Sequence, residues 1–359
     1  MAPSDVRKGM PARDLARAEF ERRYQSAFVD PAFVPLRGAL DDITAAAWDA
    51  YADGRKAPLT RKAGSGFADP DYDLAVDWLA ARDAIGAAQR RHDDPDGPSR
   101  ILLVNGSSRT EHTCPGEMSK TWRLIELAQR TIAGRGGFAT DILDLSRTTS
   151  EFGKTIHPCK SCVSTAMPLC HWPCSCYPNY SLGQVHDWMN EIYPLWVAAR
   201  GIMIITPVNW YQAPGPLKAM MDRLVCADGG NPDPTSTHGK NADEAKSLEL
   251  AGWDYPRHLE GRLFAVVVHG DAAGTEALRR AMTDWANDMH LIPAGRKAEL
   301  DRYVGYYEPY ATSHHALDED EDFQKEVANA AAALAEAVTA KRKGLLLEAG
   351  ANLEDPRPK

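Results

Sequence analysis

Residues 101–110 read Ile-Leu-Leu-Val-Asn-Gly-Ser-Ser-Arg-Thr, and Ser119-Lys120-Thr121 follow shortly after them. The apolar run predicts a fully buried strand that breaks at Gly106 into a hydroxyl-rich loop. A helix is predicted to begin near Glu117. Hydroxyls, an arginine and free backbone N–H groups at the start of a helix are typical of an anion site, so we expect a phosphate there. The alternative is a plain strand–loop–helix connection in which Ser and Thr only cap the helix.

The composition is that of an ordinary globular protein of 359 residues, with 44% hydrophobic and 25% charged residues. This length suits one domain with long extensions or two domains. The net charge of −9 argues against nucleic acid or an anionic membrane as the main partner. No apolar run approaches the ~20 residues of a membrane span. The N-terminus lacks the apolar core of a signal peptide, so we expect a cytoplasmic protein.

Residues 1–99 carry no strand-like run and predict a helical N-terminal arm. Helices are expected over 14–28, 41–51 and about 70–92, and the third has an apolar stripe. We interpret the arm as packing on the core or on another subunit. The alternative is a partly mobile extension.

From residue 100 to 345, strands and helices alternate, which predicts an α/β fold with a doubly wound, parallel, five-stranded sheet. The strands are predicted at 101–105, 138–145, 201–206 and 263–269, with a short fifth at 289–293. Residues 227–260 are interpreted as an inserted surface loop and 346–359 as a frayed tail. Ligands of such sheets bind beyond the carboxyl ends of the strands. The loops 106–116, 206–214 and 269–274 are therefore the candidate site.

Three motifs lie in or behind these loops: Gly106-Ser-Ser-Arg109, Thr206-Pro-Val-Asn-Trp210 and Leu217-Lys-Ala-Met-Met-Asp-Arg223. With them, residues 100–290 resemble the flavodoxin-like NAD(P)H-dependent FMN reductase family, which includes iron–sulfur flavoproteins and quinone reductases. The resemblance implies FMN as cofactor and NAD(P)H as co-substrate. It also implies a homodimer or homotetramer with FMN at a subunit boundary.

The resemblance assigns candidate residues to the two ends of FMN. The phosphate would rest on Ser107, Arg109, Ser119, Lys120 and Thr121. The isoalloxazine ring needs a flat slot with N–H donors beside it. One side of that slot would be formed by Pro207, Val208, Asn209, Trp210 and Tyr211, and the other by His269, Gly270 and Asp271. The alternative for Trp210 and Tyr211 is an aromatic pair in the core or in an interface.

Five of the seven cysteines lie in a loop predicted over residues 156–180: Cys159, Cys162, Cys170, Cys174 and Cys176. Such clustering in a reducing compartment favours metal or redox chemistry over disulfides. Four thiolates can hold a [4Fe–4S] cluster or zinc. Iron–sulfur flavoproteins carry compact cysteines at this position, although their usual spacing differs. Three interpretations stay open: iron–sulfur, zinc or a redox dithiol, and plain reduced cysteines.

The resemblance implies an FMN-dependent oxidoreductase that takes hydride from NAD(P)H. The acceptor would be a small molecule: a quinone, another flavin, a metal ion or an organic electrophile. No side chain is assigned as catalytic, because the flavin supplies the chemistry. One alternative is a flavin electron carrier or redox sensor without nicotinamide turnover. Another is a zinc-stabilised scaffold without flavin.

Overall fold

The computed structural model describes residues 7–8, 15–57, 59–113, 119–177, 186–271, 273–305, 307–309, 312–345 and 353–354. The predicted helix start near Glu117, the end of the cysteine-rich loop and most of the predicted tail lie outside these residues. No helix within the described ranges has the length and apolarity needed to cross a membrane.

The described strands and helices alternate from residue 99 onward. The strands are β1 (Arg7–Lys8), β2 (Arg55–Ala57), β3 (Thr60–Lys62), β4 (Asp73–Ala75), β5 (Ser99–Asn105), β6 (Phe138–Asp144), β7 (Gly201–Pro207), β8 (Leu263–Gly270), β9 (Ile292–Pro293) and β10 (Glu299–Tyr303). The helices are α1 (Arg17–Gln25), α2 (Arg37–Asp53), α3 (Val76–Asp93), α4 (Lys120–Ala133), α5 (Met189–Ala198), α6 (Gly215–Leu224), α7 (Ala242–Leu250), α8 (Thr275–Asp288), α9 (Ser313–Glu319) and α10 (Glu321–Arg342).

The main sheet is parallel, with strand order β6-β5-β7-β8-β10, and the short β9 pairs with β8. The predicted α/β fold, a doubly wound parallel sheet of the flavodoxin type, is confirmed. The short strand predicted over 289–293 is present at Ile292–Pro293, which pair with β8. The sequence prediction missed β10, and the sheet therefore has six strands instead of five.

Strand β10 has the sequence Glu-Leu-Asp-Arg-Tyr, which does not read as a buried strand. Its two central charges are nevertheless buried, because each has a partner on a neighbouring helix. Arg302 makes two hydrogen bonds of 2.8 and 2.9 Å to Glu326 on α10, and Arg279 on α8 donates to Asp301 at 2.7 Å. Buried charges are tolerated when they are paired and hydrogen-bonded in this way.

Helices cover both faces of the sheet. On one face, α4 and α10 pack through residues such as Leu124, Ile125 and Leu334. On the other face, α5, α6 and α8 pack together with Ile85 and Ala88 of α3. The third helix of the N-terminal region therefore contributes to the core of one face.

The N-terminal region also contains short strands, although the sequence pattern predicted none. Strand β1 pairs with β2 and β3 with β4, both antiparallel. Helices α1 and α2 are joined by an aromatic cluster of Phe20, Trp48 and Tyr51. The helical character of the N-terminal region is confirmed by α1, α2 and α3. The two strand pairs within it are too short to show a strand period in sequence.

The segment interpreted as an inserted surface loop, 227–260, contains helix α7 and several buried residues. It covers the cysteine-rich loop. The Trp172 N–H donates to the Asn231 carbonyl at 2.8 Å, and the Asn231 N–H donates to the Cys170 carbonyl at 2.7 Å. Glu249 on α7 accepts the Met167 N–H at 2.9 Å. The segment is therefore not a loop throughout, because packing on a second irregular segment orders it.

Candidate active site

Three strand ends lie side by side at the carboxyl edge of the sheet. Asn105 of β5 is in register with Ile205 of β7, and Pro207 of β7 is in register with His269 of β8. The loops that follow these strands therefore begin next to each other. This arrangement brings together the starts of the three loops in which the predicted cofactor residues lie, as expected for the carboxyl edge of a parallel sheet.

The loop after β5 is held by its own side chains and leaves backbone donors free. Ser107 is 2% exposed, and its hydroxyl accepts the Arg109 N–H at 3.1 Å. The Arg109 side chain lies 3.4 Å from the Thr113 hydroxyl. Within the described ranges, the N–H groups of Ser108 and Thr110 donate to no acceptor. Free amides beside an arginine are suited to an anion.

An Asn–Asp pair beneath this loop was missed by the sequence reasoning. Asn105 is 1% exposed; its amide donates to Asp144 at 2.7 Å and its carbonyl accepts the Ser107 N–H at 3.1 Å. Asp144 also accepts the Ser146 hydroxyl at 2.7 Å. The network connects the ends of β5 and β6 and fixes the start of the loop. The signal in the sequence was a polar residue at the end of each of two neighbouring strands.

The three predicted residues at the start of α4 have different surroundings. The Ser119 hydroxyl caps the helix by accepting the Trp122 N–H at 3.1 Å. The Thr121 hydroxyl lies 2.8 Å from Nε2 of His269, so these two predicted residues are in contact. The Lys120 ammonium donates to the Val304 carbonyl and the Ser313 hydroxyl, each at 3.2 Å. The lysine is thus hydrogen-bonded to residues that follow β10. Its charge also interacts with the charges of Asp271 and Arg109.

His269 is neutral at ordinary pH. It is 3% exposed at the end of β8, and burial, reinforced by the Lys120 charge, lowers its pKa to about 3. Burial without a counter-ion disfavours the imidazolium form. The contact with Thr121 therefore joins a neutral ring to a hydroxyl, and it holds the start of α4 against the end of β8.

This buried histidine predicts an acid-sensitive fold. The folded pKa is about 3, below the ordinary value near 6.5, so between these pH values the unfolded chain binds a proton that the folded chain does not. Because of His269, the free energy of unfolding therefore falls by about 1.4 kcal/mol for each pH unit below 6.5. Replacing His269 with Gln should make the slope of unfolding free energy against pH shallower by that amount between about pH 6 and pH 4.

The control is His315→Gln, which changes an exposed histidine on α9 in the same way. Chemical denaturation at several pH values measures both slopes. His92, whose pKa burial lowers to about 4, contributes in the same direction in both variants and does not affect the comparison. Equal slopes in the wild type and in His269→Gln would contradict the prediction.

The loop after β7 contains a strained two-residue turn. Trp210 and Tyr211 both have positive φ, 48° and 66°. The Asn209 N–H donates to the Gln212 carbonyl at 2.9 Å, and the Gln212 N–H donates back at 3.0 Å. Turns of this kind favour Gly or Asn at both central positions, so a Trp-Tyr pair stores strain of roughly 1–3 kcal/mol per residue. Such strain is common at ligand sites.

The aromatic rings of this turn lie at the surface, which corrects the alternative that they are core residues. Trp210 is 92% exposed and Tyr211 is 59% exposed. Gly274, with φ +112°, lies against Tyr211: a Cβ there would come within 2.9 Å of the tyrosine Cα. The Val208 N–H donates to the His269 carbonyl at 2.8 Å. The loops 206–214 and 269–274 are therefore packed on each other.

The cysteine-rich loop brings two sulfur atoms into contact. The Sγ atoms of Cys162 and Cys176 are 3.4 Å apart, and the Lys240 ammonium lies 3.6 Å from Cys162 Sγ. The hydrogen bond from Cys176, together with Lys240, lowers the pKa of Cys162 to about 7. Burial raises the pKa of Cys170.

No group of three or more His, Cys, Asp or Glu side chains in the described ranges could hold a metal ion. The predicted [4Fe–4S] or zinc site at Cys159, Cys162, Cys170, Cys174 and Cys176 is therefore not supported. The Cys176 thiol interacts with the thiols of both Cys162 and Cys174. The Lys240 ammonium lies beside them, and its charge opposes binding of a cation.

A family model described as NADPH-dependent FMN reductase matches residues 99–299, which is more than half of the chain and includes all three loops. A search of curated protein sequences found no match.

Similar solved structures include RosB with bound 8-demethyl-8-formylriboflavin-5'-phosphate, at 11% identity and TM-score 0.47, covering 70% of this chain and 83% of that chain. Apo NADH:FMN oxidoreductase (EMOB) has 13% identity and TM-score 0.37, covering 73% of this chain and 97% of that chain. An FMN-dependent NADH-azoreductase from Bacillus anthracis str. Ames Ancestor, in complex with FMN, has 12% identity and TM-score 0.39, covering 66% and 99%.

Proposed function

The chain belongs to the NADPH-dependent FMN reductase family, and we propose that it binds FMN at the carboxyl edge of β5, β7 and β8. As a member of that family it is an oxidoreductase. We further propose that it takes hydride from NAD(P)H and reduces a small-molecule acceptor: a quinone, another flavin, a metal ion or an organic electrophile. The observation that supports the site most directly is the match over residues 99–299, which spans the three adjacent loops.

The loop after β5 fits the phosphate end of FMN. Arg109 supplies a cation, and the free amides of Ser108 and Thr110 supply donors next to the buried Ser107 hydroxyl. The start of α4 adds the positive end of a helix dipole near Ser119. Lys120 would act through its charge, because its ammonium already donates to the Val304 carbonyl.

The loops after β7 and β8 fit the ring end. The backbone at the carboxyl edge of the sheet is supplied by Pro207, Val208 and the Asn209–Gln212 turn. Gly270 has no side chain and so leaves room for close approach of the ring. FMN, when bound, supplies the hydride chemistry, so the protein need only hold and orient the ring. The residues of this chain therefore position the cofactor, and none is assigned as a proton donor.

We also propose that the chain is a homodimer or homotetramer. Four large aromatic side chains at this end of the sheet are exposed: Trp210, Tyr211, Tyr303 and Tyr307. Exposed large aromatic side chains favour an interaction surface over solvent contact. Sedimentation velocity measures the oligomeric state, and a monomer at micromolar concentration would contradict this proposal.

The activity test uses the full chain purified and loaded with FMN. NADPH or NADH oxidation is followed with a quinone or with ferricyanide as acceptor. Turnover by the FMN-loaded chain, and none by the same chain before FMN is added, supports the proposal. Bound FMN without turnover identifies an electron carrier or redox sensor, and no FMN binding at all overturns the site.

Arg109→Gln is expected to weaken FMN binding by about 10- to 100-fold, because a charge-assisted hydrogen bond contributes about 1.5–3 kcal/mol. Fluorescence quenching of FMN during titration with the protein gives the Kd. Arg280→Gln is the matched control, since Arg280 lies on α8 with a side chain that is 68% exposed. An unchanged Kd for Arg109→Gln would remove this arginine from the phosphate site.

A further inference from the structure

The cysteine-rich loop holds a thiol pair that the proposed flavin chemistry does not use. Cys162 and Cys176 are 14 residues apart in sequence, and their Sγ atoms are 3.4 Å apart. Cys162 is half-buried, whereas Cys176 is 5% exposed. Cys162 is thus the less buried member of the pair.

The position of Cys176 is fixed by its neighbours. The next residue, Tyr177, is buried; its hydroxyl donates to the Pro158 carbonyl at 2.7 Å, and its ring stacks on His157 with centroids 4.8 Å apart. The Arg223 guanidinium lies 4.7 Å from the centre of the same ring. Such packing keeps the backbone of this cysteine in place while Cys162 sits on a single turn of 3-10 helix, Cys162–Ser164.

Lys240, from the segment that covers the loop, faces the sulfurs. Its ammonium donates to the Leu169 carbonyl at 2.6 Å and lies 3.6 Å from Cys162 Sγ. No carboxylate within the described ranges lies within salt-bridge distance of Lys240. A partly buried ammonium needs a nearby anion or acceptors. Its charge acts on four sulfurs, those of Cys162, Cys170, Cys174 and Cys176.

We propose that Cys162 and Cys176 are a redox-active dithiol that exchanges with low-molecular-weight disulfides, with Lys240 stabilising the attacking thiolate. Cys162 attacks because it is the less buried residue of the two and its sulfur lies 3.6 Å from the ammonium. Cys176 resolves because it is buried against Cys162. This activity goes beyond the proposed function and needs neither FMN nor NAD(P)H.

The exchange is balanced in two steps. Cys162 first gives its proton to solvent, and its thiolate attacks a disulfide RSSR. The S–S bond of the reagent breaks, a mixed disulfide Cys162–S–S–R forms, and the leaving RS⁻ takes up a proton from solvent in place of the one that Cys162 released. Cys176 then attacks the Cys162 sulfur, a Cys162–Cys176 disulfide forms, and the second RSH leaves with the proton of Cys176. The protein loses two electrons and two protons, and RSSR becomes two RSH.

The test treats the reduced full chain, without cofactors, with oxidised glutathione. Free thiols are counted, and non-reducing peptide mass spectrometry locates the linkage. We expect a loss of two thiols and a peptide pair joined through Cys162 and Cys176. A linkage involving Cys159, Cys170 or Cys174 instead, or no loss of thiols, would overturn the proposal. So would stoichiometric zinc or iron in the purified protein that is released only when these thiols are oxidised.

Variants separate the two roles. Cys176→Ser should trap glutathione on Cys162, and Cys162→Ser should block both steps. Lys240→Gln should slow formation of the mixed disulfide about tenfold, because the thiolate loses its cation. Lys240→Arg should restore most of the rate. Cys226→Ser is the matched control, since Cys226 is 1% exposed and lies outside the loop, and it should react as the wild type does.

Misfolding alone could explain a loss of reactivity in Cys162→Ser or Lys240→Gln. Cys176→Ser is expected to gain a stable adduct instead, so it tests the proposal independently of such a loss. A folded Cys176→Ser protein that carries no glutathione adduct at Cys162 contradicts the assignment of the nucleophile. An unchanged rate in folded Lys240→Gln contradicts the role of the ammonium. None of these outcomes depends on FMN binding, so the proposal can fail while the proposed reductase function stands.

Discussion

Replacement of Asp187 by alanine should lower the free energy of unfolding by about 3–5 kcal/mol, the effect expected when one partner of a buried ion pair is removed. Asp187 and Arg223 have side chains that are 1% and 0% exposed. Two hydrogen bonds of 2.6 and 3.1 Å join them, and the guanidinium also donates to the His157 carbonyl at 2.9 Å. Without Asp187, a buried guanidinium loses its counter-charge.

The same pair connects three parts of the molecule. Arg223 lies on α6, Asp187 lies directly before α5, and His157 belongs to the cysteine-rich loop. Asp187→Ala should therefore also loosen that loop, and we expect faster alkylation of its buried cysteines, Cys170 and Cys176. Chemical denaturation measures the stability change, and timed alkylation with mass spectrometry measures the local opening.

Asp222→Ala is the matched control. Asp222 pairs with Lys218 one helical turn away, and these side chains are 47% and 56% exposed. Exposed pairs of this kind contribute roughly 0–1 kcal/mol. If the two alanine variants lose equal stability, burial of the Asp187–Arg223 pair does not have the energetic role assigned to it.

Replacement of Gly106 by alanine is expected to weaken FMN binding by about 100-fold or more, since a displacement of about 1 Å in a positioning loop can have an effect of that size. An added Cβ would lie 2.6 Å from both Cβ and Oγ1 of Thr206 and 2.9 Å from Leu217. Thr206 is fully buried and cannot move aside. The loop after β5 must shift, and with it the free amides proposed to bind phosphate.

The same contact predicts a loss of stability of about 1–3 kcal/mol in the free protein, which is usual for overpacking. Gly38→Ala, on α2, adds the same methyl group where nothing lies within 4 Å and should change neither quantity unfavourably. Titration with FMN and thermal melting measure both effects. If folded Gly106→Ala binds FMN as tightly as the wild type, the loop after β5 is not the phosphate site. If the wild type itself binds no FMN, the proposed function fails instead.

The strands with continuous apolar runs were predicted well. Strands β5, β7 and β8 each differ from the prediction by two residues or fewer at either end. Such strands are buried on both faces of a parallel sheet, so their composition is enough to identify them. Strand β10 was missed because Asp301 and Arg302 are buried by partners on two different helices.

For the candidate site too, some features were predicted from local sequence patterns and others depended on distant contacts. The loops could be placed at one edge of the sheet, because alternation of strands and helices already implies parallel strands with aligned carboxyl ends. The positive φ angles of Trp210 and Tyr211 could not be foreseen, since both residues disfavour that backbone region. The path of the Lys120 ammonium to the Val304 carbonyl depends on a contact 184 residues away in sequence.

By itself the amino-acid sequence determined the class of fold, the positions of the main buried strands along the chain and the edge at which a ligand is expected. These properties follow from the period of apolar residues and from Gly and Pro at the breaks, which are local in the chain. Only the tertiary structure decided which charges are paired inside, that Cys162 meets Cys176 beside Lys240, and that the aromatic turn faces outward. Those contacts join residues 14 to 184 positions apart, and no local pattern specifies which distant side chain will fill a given buried position.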